Sequence, residues 1–125
     1  MDQNRVDTPP MDLDQCPVAA TLQVIGGKWV PLILFQLKDG PRRFNALRRL
    51  IPGITQRMLT LQLRGLEQDG VVAHKVFETV PPHVEYSLTP SGQTLAPIIE
   101  AMEVWGTERL AAKHCDRESE GGAMA

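Results

Sequence analysis

The segment at residues 53–70 reads G-I-T-Q-R-M-L-T-L-Q-L-R-G-L-E-Q-D-G, and it decides how the rest of the chain is interpreted. Thr55 suits the N-cap of a helix beginning at Gln56, because its hydroxyl can accept a hydrogen bond from a free N–H of the first turn. Leucines at positions 59, 63 and 66 recur at helical spacing and predict one apolar face. Gly70 suits a left-handed C-terminal cap, so the segment predicts a capped amphipathic helix.

The opposite face of this helix is polar and cationic. At about 100° per residue, Arg57, Leu61, Arg64 and Gln68 point away from the three leucines, with Thr60 at their edge. Arginine, threonine and glutamine side chains can hydrogen-bond phosphates and base edges in a DNA major groove. An ordinary solvated helix face carries the same residue types, so the neighbouring segments decide between the two interpretations.

Positive charge is concentrated around this helix, although the whole chain is slightly acidic. The 125 residues include 13 Lys and Arg against 15 Asp and Glu, a net charge of −2 at pH 7. Between positions 38 and 64, seven basic residues stand against one acidic residue, and seven minus one gives +6. The two ends of the chain are acidic. An incoming anion is therefore expected to meet a basic middle segment.

Length and composition predict one globular domain in the cytoplasm. A chain of 125 residues can bury a real core, and its 42% hydrophobic and 22% charged residues are ordinary for a soluble protein. No apolar run reaches the roughly 18 residues of a membrane span, and no signal-peptide pattern opens the chain. Two cysteines are too few for a disulfide framework, and the three histidines show no metal-ligand spacing. We predict no metal and no cofactor.

The flanking segments complete a winged helix-turn-helix pattern. A short helix starting at Cys16-Pro17, an almost wholly apolar helix over 28–38 and a helix near 42–51 precede the Thr55 helix. Residues 71–77 and 83–88 have the β-branched or alternating pattern of two strands, joined by a loop that contains Pro81-Pro82. Two helices linked by a tight Gly-containing turn and followed by a hairpin match this plan. The predicted fold class is α+β, mainly α.

A long final helix is predicted to join two copies of the chain. After Thr89-Pro90, apolar residues recur as far as position 110, and Pro97 should kink this helix or mark a restart. A single winged domain leaves such a stripe uncovered, so we expect a homodimer. The predicted dimer contacts are Leu22, Ile99, Met102 and Trp105. The domain is predicted at residues 16–113, between a flexible arm at 1–15 and a flexible tail at 114–125.

Six motifs follow one another between about Cys16 and Leu110. They are C-P-V (16–18), G-G-K-W (26–29), G-P-R-R-F-N-A-L-R-R (40–49), P-G-I-T-Q-R-M-L-T (52–60), L-R-G-L-E-Q-D-G-V-V (63–72) and V-P-P-H-V-E-Y-S-L-T-P-S-G (80–92). In this order and spacing they resemble the HxlR-type transcriptional regulators, a bacterial winged helix-turn-helix family related to the MarR-like regulators. The resemblance implies a homodimer on a two-fold symmetric operator, with the Thr55 helix in the major groove and the wing near the backbone or minor groove.

The resemblance also assigns DNA contacts by position. It makes Arg42 and Arg43 backbone contacts and places His83 at the wing tip. The implied readers of bases and phosphates are Thr55, Gln56, Arg57, Thr60 and Arg64. Three of these, at positions 57, 60 and 64, are also selected by the helical periodicity alone.

Two positions depart from the usual family pattern. Leu61 stands where similar sequences often carry a polar residue, and it either contacts thymine methyl groups or lies near the flank of the dimer. His83 replaces the common Arg or Lys of the wing tip. A neutral imidazole weakens a phosphate contact, and protonation would restore it. Both departures concern details of the site.

Cys16 is the residue with possible redox chemistry. It precedes Pro17 at a helix start, where free N–H groups and the helix dipole favour a thiolate. The resemblance implies sensing of quinones, aldehydes or oxidants by a cysteine near this point, through modification of Cys16 or a disulfide with Cys115 of the other subunit. The alternative is a small buried hydrophobe at the dimer seam, which is how most free cysteines behave.

Two other functions are alternatives to a DNA-binding regulator, and one alternative concerns the signal that such a regulator receives. An enzyme is disfavoured because the sequence contains no phosphate loop, nucleophile elbow or paired carboxylates on apolar elements. A winged helix used only for protein–protein contact stays open, since fold does not dictate ligand, but the basic cluster disfavours it. A regulator with a non-covalent small-molecule inducer also stays open. A repressor is predicted rather than an activator, because a small single-domain regulator acts most simply by blocking polymerase.

Overall fold

The computed structural model describes residues 15–124, with side chains described as far as residue 114. The predicted arm at residues 1–15 therefore lies outside the described part, apart from residue 15. The helices are α1 (Pro17–Ile25), α2 (Val30–Leu37), α3 (Phe44–Leu50), α4 (Gln56–Gln68), α5 (Pro90–Gln93) and α6 (Ala96–Met124). The strands are β1 (Arg42–Arg43), β2 (Val72–Phe77) and β3 (His83–Leu88). This mainly α winged helix-turn-helix fold confirms the predicted class.

The core forms where α2, α3 and α4 pack together. Helix α2 has almost no polar side chains, and its Ile33, Leu34 and Leu37 are fully buried, as expected for a central helix. The leucines of α4 at positions 59, 63 and 66 are also fully buried, which confirms the predicted apolar face. Within residues 15–124 no single helix is both long and apolar enough to cross a membrane, and α1 and α2 reach that composition only as a pair bent by 79°.

Both predicted ends of α4 are confirmed. The Met58 backbone N–H donates to Thr55 Oγ1 at 3.1 Å, which satisfies one of the free donors of the first turn. After the last turn, Gly70 adopts a φ of +76°, in the left-handed region that favours glycine. The Val71 backbone N–H then donates to Leu66 O at 3.1 Å, so the chain leaves the helix directly into the sheet.

The sheet has three antiparallel strands in the order β1-β3-β2. The predicted hairpin is confirmed, with Val72 opposite Leu88 and Phe77 opposite His83. Strand β1 was not predicted. Its two arginines pair with Tyr86 and Glu85 of β3, so the helix expected to start near residue 42 starts instead at Phe44.

The final helix restarts as Pro97 indicated. Thr89 caps the short helix α5 by accepting from the Gly92 N–H at 3.0 Å, and its hydroxyl donates to Gly70 O at 2.6 Å. The helical conformation is interrupted by a turn at residues 94–95. Helix α6 then runs from Ala96 to Met124 with Pro97 in its first turn. Its backbone is thus helical through most of the predicted tail, residues 114–125, whose flexibility stays a prediction.

Helix α6 leaves most of its apolar stripe uncovered within one chain. Met102, Trp105 and Leu110 are 45%, 67% and 70% exposed, and Leu22 of α1 is exposed as well. Ile99 behaves differently, because it is only 3% exposed and belongs to the core of its own chain. The prediction of Ile99 as a dimer contact is corrected on this point, since packing against its own domain leaves little of its side chain for a partner.

A glycine at position 92 is required by the close approach of α5 to Val71, which directly precedes β2. A Cβ atom added there would overlap the backbone carbonyl of Val71. We therefore expect Gly92→Ala to lower the free energy of unfolding by about 2 kcal/mol or more, in the range of overpacked sites. The matched control is Gly65→Ala in α4, where an added Cβ meets nothing within 4 Å. That control should raise stability by about 0.5–1 kcal/mol. Urea unfolding of both variants checks this, and equal stabilities would contradict it.

Candidate nucleic-acid interface

The exposed face of α4 forms a single shallow depression. It is lined by Gln56, Arg57, Thr60, Leu61 and Arg64. Four of these five are predicted DNA-contacting residues, so the structure brings most of the predicted reading set together. Thr55, which directly precedes α4, is the remaining residue of that set, and its hydroxyl oxygen accepts the N-cap hydrogen bond. Helix α4 is called the recognition helix below.

Two details set the chemistry of this depression. The Thr60 hydroxyl donates to Gln56 O at 2.8 Å, so its oxygen lone pairs remain available as acceptors for a base edge. Leu61 is 55% exposed and lies among the polar residues rather than at the edge of the helix. Its two predicted roles, apolar contact with a thymine methyl group and a place near the flank of the dimer, stay predictions.

Some basic side chains contact an aromatic ring or a carboxylate of the protein, and others are exposed and free to contact an external anion. Lys28 lies over the Trp29 ring at 4.6 Å, Lys75 lies over the Phe77 ring at 5.0 Å, and Lys38 pairs with Asp39 at 3.2 Å. Among residues 15–114, no ion pair involves the arginines at positions 43, 48, 49, 57 and 64. All five of these arginines are exposed. Available positive charge is therefore concentrated on and near the helix-turn-helix.

The two arginines of β1 point to opposite faces of the sheet. Arg42 Nε donates to Gln36 O at 2.6 Å and thereby ties β1 to the end of α2. Arg43 is exposed on the other face, beside Glu85 in the strand register. The prediction treated both arginines as phosphate contacts. In the structure Arg42 Nε already donates to Gln36 O, whereas the exposed Arg43 can still contact a phosphate.

His83 is the first residue of β3, opposite Phe77, and lies next to the connecting loop rather than in it. Its ring stacks on Phe77, with centroids 4.7 Å apart and planes 10° from parallel, and its side chain is 17% exposed. His83 Nε2 lies 3.2 Å from Glu85 Oε2. Because the ring is covered and has a carboxylate partner, the expected phosphate contact from His83 finds no support in this geometry. Pro81 and Pro82, which are exposed, form the tip.

A polar contact between the recognition helix and the wing was missed by sequence reasoning. Glu67 Oε1 lies 2.8 Å from His74 Nδ1 of β2, and the His74 ring lies 6.0 Å from the ring of Tyr86 on β3. Burial raises the pKa of the Tyr86 hydroxyl, the Glu67 carboxylate raises it further, and Arg64 opposes the rise. The seven-residue separation of Glu67 and His74 crosses a helix–strand boundary, so no simple periodicity could have paired them.

Cys16 occupies the N-cap position of α1. Its side chain is half-buried, makes no capping hydrogen bond and is free of any disulfide. The predicted partner Cys115 belongs to α6, and its side chain lies outside the described residues. Among the residues that are described, no group of three or more His, Cys, Asp and Glu side chains could hold a metal ion.

A compact helical core, an exposed cationic recognition helix and an adjoining β-wing define a winged helix-turn-helix protein. The sequence matches the HxlR-like helix-turn-helix family over residues 24–114, and the chain belongs to that family. It is an HTH-type transcriptional regulator. The family and its curated relatives are regulators of transcription rather than enzymes.

Relatives and solved structures agree with this assignment. The HTH-type transcriptional regulator YdeP of Bacillus subtilis (strain 168) is 55% identical over 101 residues, which are 81% of this chain and 79% of that protein. The redox regulator HypR in its oxidized form is 57% identical with a TM-score of 0.72, covering 74% of this chain and 96% of that one. The reduced form of the transcriptional regulator YodB from B. subtilis is 36% identical with a TM-score of 0.64, covering 73% and 90%. YodB has also been solved after diamide treatment.

The different environments of Arg42 and Arg43 predict different effects on stability. Removing Arg42 leaves Gln36 O without its charged donor, so Arg42→Ala should lower the free energy of unfolding by about 1.5–3 kcal/mol. Arg43→Ala is the matched control and should change stability by less than about 0.5 kcal/mol, because the side chain is exposed and forms no ion pair within residues 15–114. Thermal unfolding of the two variants measures the difference. Equal losses would show that the Arg42 bond contributes nothing to the fold.

Proposed function

We propose that this regulator acts in the cytoplasm as a homodimer, binds a two-fold symmetric DNA operator and represses transcription by blocking polymerase. The observation that carries the proposal is the joint depression of Gln56, Arg57, Thr60, Leu61 and Arg64 on the exposed side of a helix whose other side is buried. Its arginines lack partners within residues 15–114 and can contact guanine edges or phosphates, and its leucine can contact thymine methyl groups.

The dimer is supported by the apolar surface that one chain leaves uncovered. Met102, Trp105 and Leu110 are exposed on α6, and Val18 and Leu22 are exposed on α1. Contiguous apolar side chains of this size are a liability in a monomer and are ordinary at a subunit interface. A two-fold dimer would present two recognition helices to successive major grooves of one operator.

An oxidant or electrophile is the proposed signal, received at Cys16. The support is twofold: Cys16 is free and partly accessible at a helix start, and the similar proteins HypR and YodB were solved in oxidized or diamide-treated forms. Cys16 is the N-cap of α1, the helix that carries the exposed Leu22 expected in the dimer interface. Modification there would change the geometry of the dimer and the spacing of the two recognition helices.

A non-covalent inducer is the second candidate signal. An apolar groove of about 340 Å³ runs between α2 and α6, lined by Pro31, Leu32, Phe35, Ile99, Met102, Glu103, Gly106, Thr107 and Leu110. A groove of this size and lining suits a small apolar molecule. The groove lies between α6, which is proposed to form the dimer, and α2 of the core. A molecule bound there would therefore change the geometry of the dimer, as modification of Cys16 is proposed to do.

DNA binding is tested by the anisotropy of a labelled duplex from immediately upstream of the gene, titrated at several salt concentrations. Specific binding should weaken steeply as salt rises, because phosphate contacts release counterions. Arg57→Ala should weaken specific binding by about 10- to 100-fold, as expected for loss of one base-contacting arginine. An unrelated duplex of equal length is the DNA control. A protein–protein module would instead show no salt-dependent binding to either duplex.

The signal is tested by adding diamide to the protein–operator complex. We expect release of the DNA from the unchanged protein and retention by Cys16→Ser. Cys115→Ser is the matched control for general thiol oxidation, and it also shows whether the second cysteine takes part. Release of DNA from Cys16→Ser at the same diamide concentration would rule out Cys16 as the sensor and implicate Cys115, the other cysteine of the chain. Retention of DNA by the unchanged protein in diamide would instead favour the groove between α2 and α6.

A further inference from the structure

The hairpin formed by β2 and β3 leaves the core soon after it begins. Val72 is 3% exposed and belongs to the core, whereas the next four residues of β2 are exposed. Strand β2 also lies at an edge of the sheet, with β3 as its neighbour. The outer part of β2 therefore has few contacts that fix its position relative to the recognition helix.

One side-chain contact joins this outer part of the wing to the recognition helix. Glu67 Oε1 of α4 lies 2.8 Å from His74 Nδ1 of β2. Among residues 15–114, no other side-chain hydrogen bond or ion pair links α4 to the hairpin. A carboxylate can only accept, so His74 Nδ1 carries a proton and donates it. We call this pair the helix–wing tether.

The ring of His74 is also positioned by the sheet. His74 lies directly opposite Tyr86 in the strand register, and the two ring centroids are 6.0 Å apart. The Tyr86 ring in turn lies 6.3 Å from the ring of Phe44 on α3. The imidazole is thus placed between a ring that belongs to the sheet and a carboxylate that belongs to the recognition helix. A change in its bond to Glu67 therefore acts on the angle between the two elements.

Titratable and charged groups on three elements surround His74. On α4 they are Glu67 and, one turn earlier, Arg64. On β3 burial raises the pKa of the Tyr86 hydroxyl, Glu67 raises it further and Arg64 opposes the rise, so this hydroxyl stays protonated near neutral pH. On β1 Arg42, opposite Tyr86, is bound to the end of α2. By strand alternation the charged residues on the other face of the sheet are Arg43, Lys75, His83 and Glu85.

The strength of the helix–wing tether depends on pH through the charge of a histidine. Histidine is the side chain whose charge ordinarily changes between about pH 5 and pH 8, a range in which carboxylates are ordinarily ionised. With a protonated imidazole the bond joins two full charges and is about twice as strong as the bond from a neutral imidazole. The tether is therefore stronger at the acid end of this range and weaker at the alkaline end.

We propose that Glu67 and His74 are positioning residues that hold the wing at the angle the operator requires, and that protonation of His74 tightens this hold. The inference rests on the proposed function, in which the recognition helix and the wing contact one operator. A wing that is held in place before binding loses less conformational freedom on binding. The affinity for the operator should therefore rise as the pH falls from about 8 to about 6.

The test measures operator affinity by anisotropy near pH 6 and near pH 8 at constant salt, for the unchanged protein, Glu67→Gln and Glu85→Gln. Glu85→Gln is the matched control. The Glu85 side chain is 29% exposed against 30% for Glu67, and it too lies beside a histidine of the hairpin, His83, but on the face turned away from α4. Urea unfolding first establishes that all three proteins are folded at both pH values.

The expected result is a difference in how much affinity each protein gains on acidification. A partly exposed ion pair contributes a factor of about 2–5, and a dimer carries two tethers. The unchanged protein and Glu85→Gln should therefore gain about 3- to 10-fold more affinity between pH 8 and pH 6 than Glu67→Gln gains. A role of Glu67 in stability alone would leave this gain unchanged.

Glu67→Gln also separates the tether from direct attraction between a protonated His74 and DNA phosphates. The variant leaves His74 able to take up a proton, so direct attraction would persist, whereas the tether loses its charged acceptor. His74→Arg supplies a permanent charge at the same position. It should bind operator near pH 8 about as tightly as the unchanged protein binds near pH 6, and its gain on acidification should be no larger than that of Glu67→Gln.

Three outcomes would overturn the tether while leaving the proposed function intact. The first is an equal gain in affinity on acidification for Glu67→Gln and the unchanged protein. The second is a loss of the gain in Glu85→Gln as well, which would make it a general effect of removing a carboxylate from this region. The third is His74→Arg binding no more tightly near pH 8 than the unchanged protein does. Absence of specific DNA binding at both pH values would instead overturn the proposed function, and the tether with it.

Discussion

Burial of Leu59, Leu63 and Leu66 fixes the orientation of the recognition helix, and the surface of the protein follows from that orientation. Truncating any one of these leucines to alanine would cost about 2–5 kcal/mol. Rotating the helix would bury Arg57 or Arg64 without a partner, which costs several kcal/mol per charge. The apolar face therefore determines which side chains meet solvent, and those side chains form the proposed reading surface.

The arrangement of charge matters more here than its total. The chain carries a net charge of −2, yet five of its exposed arginines lie on the recognition helix, on α3 and on β1. The fold holds other basic groups back, because Lys38 pairs with Asp39 and Arg42 bonds to Gln36. At physiological salt, exposed charges more than about 8 Å apart are largely screened from each other. A DNA strand would thus respond to the local positive surface.

Features set by neighbouring residues were predictable from sequence, and features set by distant ones were not. The N-cap at Thr55, the hairpin and the helix restart near Pro97 depend on contacts within a few residues. Strand β1 pairs with residues more than forty positions away. Its two arginines, predicted to begin a helix, are therefore in an extended conformation. The stack of His83 on Phe77 likewise depends on strand register, which the loop sequence did not fix.

The most direct test of this account is the mapping of operator DNA onto the chain by backbone amide chemical shifts. An isotopically labelled protein would be titrated with an operator duplex and then with an unrelated duplex. We expect the largest shift changes on adding operator to fall between Thr55 and Arg64, and the unrelated duplex to change the shifts of these residues less. Changes concentrated on α6, with the recognition helix unaffected, would contradict the claim that the exposed face of this helix reads DNA.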